Sequence, residues 1–234
     1  LIVMHAADLS ETMEVSLSAL APGQGGWAAY LAGVLWVLRE AGHQVGAVTL
    51  ALTSDVPLGA GLSSSAAIEC AVMAAVCDLF SLNIAPMERA QLAQRAENVY
   101  VGAPTGLLDQ AASTLCRTGH GLFLDCRTLE TTDVPLPLHD QGFEILVLDT
   151  HSPHSHIDGE YGERRATCEQ AAKILGVRAL RDVTDLDAAL SRLPDTQMRR
   201  RVRHVVSENE RTRTALDLAR KGLLSELPHL LNES

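Results

Sequence analysis

Lysine is nearly missing from these 234 residues: Lys173 and Lys221 are the two there are, and arginine carries the remaining basic charge. Positive charge is in deficit overall, with a formal net charge of −10. Nucleic-acid binding rests on a basic field, so that class of partner is excluded. A small anionic ligand is not, because local backbone dipoles can outweigh a distant global field. No apolar run approaches the roughly 18 residues of a membrane span, no signal-peptide pattern opens the chain, and no membrane partner is expected. The five cysteines, Cys70, Cys77, Cys116, Cys126 and Cys168, include no C-x-x-C pair. An odd count without a secretion signal predicts reduced, mostly buried thiols and a cytoplasmic location. Internal repeats and low-complexity tracts are also missing.

What is present is ordinary for a globular protein, with 47% hydrophobic and 21% charged residues. The length suffices for one large domain or two small ones. The opening L-I-V-M-H-A-A-D reads as the middle of a fold, so the chain is expected to be part of a longer protein.

Helical spacing over residues 27–39 ends at Ala41-Gly42, a C-cap signal. Residues 45–53 alternate as a strand does. Residues 64–80 are apolar on almost every face and predict a buried helix. Pro86 marks the first turn of a helix over 87–98. The loop V-G-A-P-T-G leads into a short helix over 107–115. Strands are predicted at 121–126 and 143–149, the second a continuous apolar run of the buried kind. Prolines confine 129–138 to a sheet edge. From Gly159 onward charged amphipathic helices follow, over 160–175, 185–192 and 196–220. Strands before residue 150 and helices after it favour an α+β fold with two domains, 1–140 and 141–234.

The stretch D-V-P-L-G-A-G-L-S-S-S-A-A joins strand to helix. Gly59 and Gly61 allow positive φ and close approach of a ligand to the backbone. The helix behind them aims unpaired N–H donors and its positive dipole end at the loop, an anion cradle suited to phosphate. It is not a Walker A loop, because the G-K-[ST] ending is missing, and it is not a nucleophile elbow, because no G-x-S-x-G frame occurs. The competing reading is a glycine turn with a serine N-cap.

Downstream, Glu97 in A-E-N-V-Y-V-G and Asp109 in A-P-T-G-L-L-D-Q flank a Gly-Pro-Gly loop that can fold both carboxylates toward one site. A carboxylate with a serine hydroxyl suits Mg²⁺, which takes hard oxygen ligands. A second carboxylate beside a transferred phosphate can accept a proton from the attacking hydroxyl.

P-L-G-A-G-L-S-S-S-A-A resembles the phosphate loop of the GHMP kinases. G-W-A-A-Y-L-A-G-V, A-E-N-V-Y-V-G-A-P-T-G-L-L-D-Q, G-L-F-L-D-C-R-T-L-E, E-Y-G-E-R-R-A-T-C-E and R-H-V-V-S-E-N-E-R narrow the resemblance to the galactokinase family, over most of residues 27–232. The resemblance implies a two-domain α+β GHMP-kinase fold with an S5-like N-terminal part and a helix-rich C-terminal part. It implies ATP phosphates wrapped by Gly59, Ala60, Gly61, Leu62, Ser63, Ser64 and Ser65, and Mg²⁺ on Ser65 and Glu97. Asp109 becomes the catalytic residue, contacting the sugar's C1 hydroxyl as its base, with Gly106 and Tyr161 against the sugar. Galactose and ATP are then the partners, galactose 1-phosphate is the product that opens galactose catabolism, and a monomer is expected. The chain also departs from the family. The Gly-Glu-His-Thr-Asp-Tyr signature, the arginine before it and the third glycine-rich motif are absent, and Pro104-Thr105-Gly106 replaces the usual P-C-G. The chain therefore resembles the central part of a galactokinase, lacking both ends. Rival readings are an N-acetylgalactosamine kinase and a sugar-sensing regulator or pseudoenzyme, which the intact Ser65, Glu97 and Asp109 argue against.

His151, His154 and His156 space as H-x-x-H-x-H, yet no cysteine or carboxylate completes a tetrahedral metal set, and a polar loop is expected. The arginines 199–201 and Arg203 are expected to face solvent on the long helix.

Overall fold

The computed structural model describes residues 1–57, 60–149 and 160–234, apart from the side chains of Glu160 and Tyr161. Two compact units emerge, one containing Leu1–Arg117 and Leu124–Thr131, the other Thr118–Phe123, Thr132–Leu146 and the chain from residue 160 onward.

The first unit begins with strands β1 (Ile2–Ala6) and β2 (Glu11–Val15), which the sequence reading did not assign. β1 alternates buried and half-buried residues, sending Ile2, Met4 and Ala6 into the core. It lies at the centre of a three-stranded sheet of order β2-β1-β3, antiparallel to β2 and parallel to β3 (Val48–Leu52). The register places Ile2 opposite Val15 on one side and opposite Val48 on the other.

Helix α1 (Ala29–Glu40) joins β2 to β3 and forms the centre of the core, with Leu31, Val34, Leu35 and Leu38 fully buried. Each such side chain contributes about 1.5–3 kcal/mol relative to exposure. Ala41 caps it and Gly42 leaves it at φ +89°, as the Ala-Gly pair predicted.

Helix α2 (Ser64–Leu79) buries Ala66, Val72, Met73, Val76 and Cys77 along one stripe. Its opposite face is exposed at Ala71, Ala74 and Ala75, so the expectation of burial on almost every face is corrected. Alanine there is apolar but small, and it sustains the helix without needing a partner surface.

Helix α3 (Pro86–Arg95) opens on Pro86 and runs into a π-helical turn, Ala96–Val101, before α4 (Leu108–Leu115). The π turn packs tightly on α1: a Cβ on Gly33 would lie 3.2 Å from the Tyr100 side chain.

In the second unit β4 (His120–Leu124) and β5 (Thr131–Pro135) form a hairpin. Its Val134, with Phe123 and Leu136 alongside, packs on Ala219 and Leu224. Helices α5 (Glu160–Leu175), α6 (Leu186–Ser191) and α7 (Thr196–Arg220) bury Ala171, Leu175, Leu190, Leu193, Met198 and Val202 together. α8 (Leu227–Glu233) follows. Of the four arginines expected to face solvent, Arg199, Arg200 and Arg203 are exposed, Arg199 also donating to the Leu193 carbonyl at 3.0 and 2.8 Å, while Arg201 is half-buried and donates to the Glu163 carbonyl and the Thr167 hydroxyl. The Leu193 carbonyl, in the turn between α6 and α7, is one left open at a helix end.

Two more expectations change. Residues 143–149 form no strand, and Ile145, Leu146 and Leu148 are 79%, 79% and 78% exposed. An apolar run becomes a strand only when a neighbouring backbone pairs with it, and among the described residues none does. Of the five cysteines, all free, Cys77 is buried, Cys70 and Cys168 are half-buried, and Cys116 and Cys126 are exposed. The three-histidine loop lies outside the described residues.

Candidate active site

The glycine-serine loop leaves β3 with its entry anchored. Asp8, just beyond β1, accepts the Ser54 N–H at 2.9 Å and the Thr53 hydroxyl at 3.4 Å. Gly59 lies outside the described residues. Gly61 holds φ +73° with open space where a Cβ would project, so its glycine is required by the backbone angle and not by crowding. Ser63, the N-cap of α2, is itself left-handed at φ 53° and makes no capping bond with its side chain. The expected serine cap is therefore not formed by Ser63, and the first N–H groups of α2, which have no intrahelical partner, point out of the helix end. Ala60 and Ser63–Ser65 are half-buried, while Gly61 and Leu62 are exposed. This is the arrangement an anion cradle needs.

One helical turn after Ser65, on the same face, comes Glu69. It is fully buried, as is Gln110 of α4, and Glu97 in the π turn is 2% exposed. The Gln110 amide nitrogen donates to Glu97 Oε2 at 2.6 Å and to Glu69 Oε2 at 3.3 Å. Cys70 strengthens the same seam, donating to the Gln110 carbonyl at 3.7 Å and accepting from the Thr114 hydroxyl at 3.5 Å. Burial, and after it the Glu97 carboxylate, pushes the Glu69 carboxyl up to about 9. The Tyr30 phenol rises for the same two reasons, burial first and the acids second, which places it beside them.

Glu97 Oε2 also accepts the Thr105 hydroxyl at 2.9 Å. Thr105 is further held by Asn98, which accepts its N–H at 2.7 Å, and by Gln94 and Asn98 donating to its carbonyl. The residue that departs from the family's P-C-G thus bonds directly to the candidate metal ligand. Gly106 follows it, exposed, and Asp109 sits exposed in the first turn of α4.

The structure accordingly gathers Glu97, Thr105, Gly106 and Asp109 around one loop, and links them through Gln110 to the α2 face that carries Ser65. Tyr161 falls in the first turn of α5, in the second unit, and its side chain is not described. Sequence reasoning missed Glu69 and Gln110. A usable signal existed: Glu69 is the lone charge in S-S-A-A-I-E-C-A-V-M, four residues after Ser65.

The donor set fits Mg²⁺. Glu97 keeps Oε1 free of any protein partner among the described residues, no cation neutralises either buried acid, and the ligands offered are hard oxygens. The uncapped α2 terminus fits the phosphates of a nucleotide.

Comparison with known proteins finds similarity to one family. A sequence model of the GHMP kinase N-terminal domain matches residues 29–117. A galactokinase of Streptomyces coelicolor is 51% identical over 224 residues, covering 94% of this chain. One of Thermotoga neapolitana is 36% identical over 233 residues, or 99% of the chain. The chain spans 58% and 64% of these two relatives. Among solved structures, Lactococcus lactis galactokinase complexed with galactose superimposes with a TM-score of 0.89 at 29% identity, covering 100% of this chain and 62% of that one.

Proposed function

We propose, from the match of residues 29–117 to the GHMP kinase N-terminal domain and the similarity to galactokinases over 94% of the chain, that the protein phosphorylates galactose at its C1 hydroxyl with ATP. The observation that carries this reading is the link made by Gln110. It ties buried Glu97 to the helical turn bearing Asp109, and through Glu69 to the helix whose uncapped N-terminus follows the glycine loop.

In this reading Gly59, Ala60, Gly61, Leu62, Ser63, Ser64 and Ser65 hold the ATP phosphates. Ser65 and Glu97 hold Mg²⁺, which neutralises charge on the phosphates when bound. Exposed Asp109 accepts the proton of the C1 hydroxyl, while Gly106 and Tyr161 face the sugar. Phosphoryl transfer asks the protein mainly for positioning and charge stabilisation, and a pinned loop between Glu97 and Asp109 supplies the first. The domains carry over as 1–140, the GHMP N-terminal part, and 141–234, the C-terminal part. The enzyme works as a cytoplasmic monomer, with no nucleic-acid or membrane partner.

The test is Asp109→Asn in the intact protein. Single-turnover phosphorylation of galactose is expected to fall by about 10²–10⁴-fold, the usual contribution of a general base, while nucleotide titration stays close to that of the parent. A variant that phosphorylates galactose at the parent rate overturns the role of Asp109. A parent protein that binds galactose and ATP without transfer makes it a sugar sensor.

A further inference from the structure

We propose that Gln110 and Glu69 are positioning residues that hold the candidate base Asp109 in fixed register with the candidate metal ligand Glu97. The proposal rests on the kinase reading above and extends it to two residues outside the family-implied set.

Asp109 and Gln110 are neighbours in the first turn of α4, and successive helical residues point about 100° apart. Fixing the direction of one fixes the other. Gln110 is fully buried while Asp109 is exposed, so the amide points inward as an anchor and the acid points out. That anchor uses both amide hydrogens, one toward Glu97 Oε2 and the other toward Glu69 Oε2. One side chain thereby joins three elements: α2, the π turn and α4.

The other end of the connecting loop is pinned as well. Thr105 donates to the same oxygen of Glu97, and Asn98 and Gln94 hold its backbone. The segment between Glu97 and Asp109 is thus tied to Glu97 at Thr105 and again at Gln110.

This network is an expensive way to fill a core. Among the described residues, Glu69 Oε1 and Gln110 Oε1 are buried with no hydrogen-bond partner, and no salt bridge reaches either acid. Buried polar groups left unpaired cost stability, and apolar residues of similar volume commonly serve a core better. Stability alone does not account for the arrangement, whereas geometric control of Asp109 does.

The test compares Gln110→Met, which keeps the volume and removes both bonds, with Glu69→Leu and Glu69→Gln, all in the intact protein. In Gln110→Met, kcat per folded molecule is expected to fall by about 10–100-fold, because displacement of about 1 Å at a reacting group costs up to about 10². KM for ATP is expected to stay within about threefold, since the α2 terminus is untouched. The hydrogen-bonded backbone amides of α4, from Ala111 onward, should exchange with solvent hydrogen at least about tenfold faster as the local opening free energy drops. Glu69→Leu is expected to do the same to a smaller degree, and Glu69→Gln, which keeps an acceptor for Gln110, to restore the parent values. Should Gln110→Met fail to fold, Glu69→Leu against Glu69→Gln carries the comparison. Unchanged kcat per folded molecule, or unchanged exchange in α4, overturns the proposal. A parent protein that transfers no phosphate to galactose overturns the kinase reading instead, and the exchange measurement then decides the anchor alone.

Discussion

The two units differ in the polar groups they bury and in how they finish their helix ends. In the helical unit, side-chain charge completes backbone hydrogen bonding. Asp195 caps α7 by accepting the Met198 N–H at 2.7 Å, and Asp185 caps α6 through the Ala188 N–H at 3.0 Å. Arg192 and Arg199 donate to the carbonyls of Ile174, Leu175 and Leu193. In the unit built on the mixed sheet, helix ends are left open and acids are buried. The Ser63 side chain does not cap α2, and Glu69 and Glu97 share one amide in the core, with no salt bridge to either acid among the described residues. Polar groups that finish a helix contribute to folding, whereas open donors and buried acids cost stability and leave chemistry available to a ligand.

The largest expected effect separates the units by pH. Burial and the Glu97 carboxylate raise the folded Glu69 value to about 9, from about 4.5 when unfolded. Between those values the folded chain holds a proton that the unfolded chain has released. Stability therefore falls as pH rises through that window, and the full loss is reached above about pH 9. Tyr30 and Cys70 lie beside this group, and burial raises the phenol and the thiol as well. Denaturant unfolding from pH 6 to 10 is expected to show a loss on the order of a few kcal/mol in the parent. Glu69→Gln should flatten most of that slope. A variant with the parent's slope would mean that Glu69 is not the group responsible.

Next comes Gly61→Val. At φ +73° a β-branched residue is strained by about 1–2 kcal/mol. Nucleotide affinity is expected to fall by about tenfold or more as the loop adjusts, with a melting temperature close to the parent's. Unchanged affinity by calorimetry would remove Gly61 from the cradle.

Asp195→Ala is the smallest and the mirror image. Loss of the cap should cost about 1 kcal/mol of stability and leave nucleotide affinity alone. If nucleotide affinity dropped with it, the contrast between the units would fail.

Legibility followed the range of the interactions involved. The helices over 160–175 and 196–220 were readable to the residue, because amphipathic spacing acts within a few positions, as does the aspartate cap of the second. Pro86 and Ala41-Gly42 marked helix ends for the same reason. The strand expected at 143–149 was misjudged because its apolar content is local but its pairing is not. β1 and β2 went unassigned, although I-V-M-H-A alternates in burial as a half-buried strand does. At the site, Glu97, Asp109 and the glycine-serine loop could be picked out from their spacing and their family resemblance. Glu69 was hidden inside an apolar helix, and Gln110 looked like a routine neighbour of Asp109.

By itself the sequence determined the helix ends, the α+β order of elements and the small-residue loop before α2, all set by chemistry among residues a few positions apart. Tertiary structure alone decided that Ile2 lies opposite Val48, and that Glu69, 41 positions before Gln110, shares its amide with Glu97. Such contacts depend on which faces pack together. Burial then turned an ordinary glutamate into a carboxyl that keeps its proton up to about pH 9.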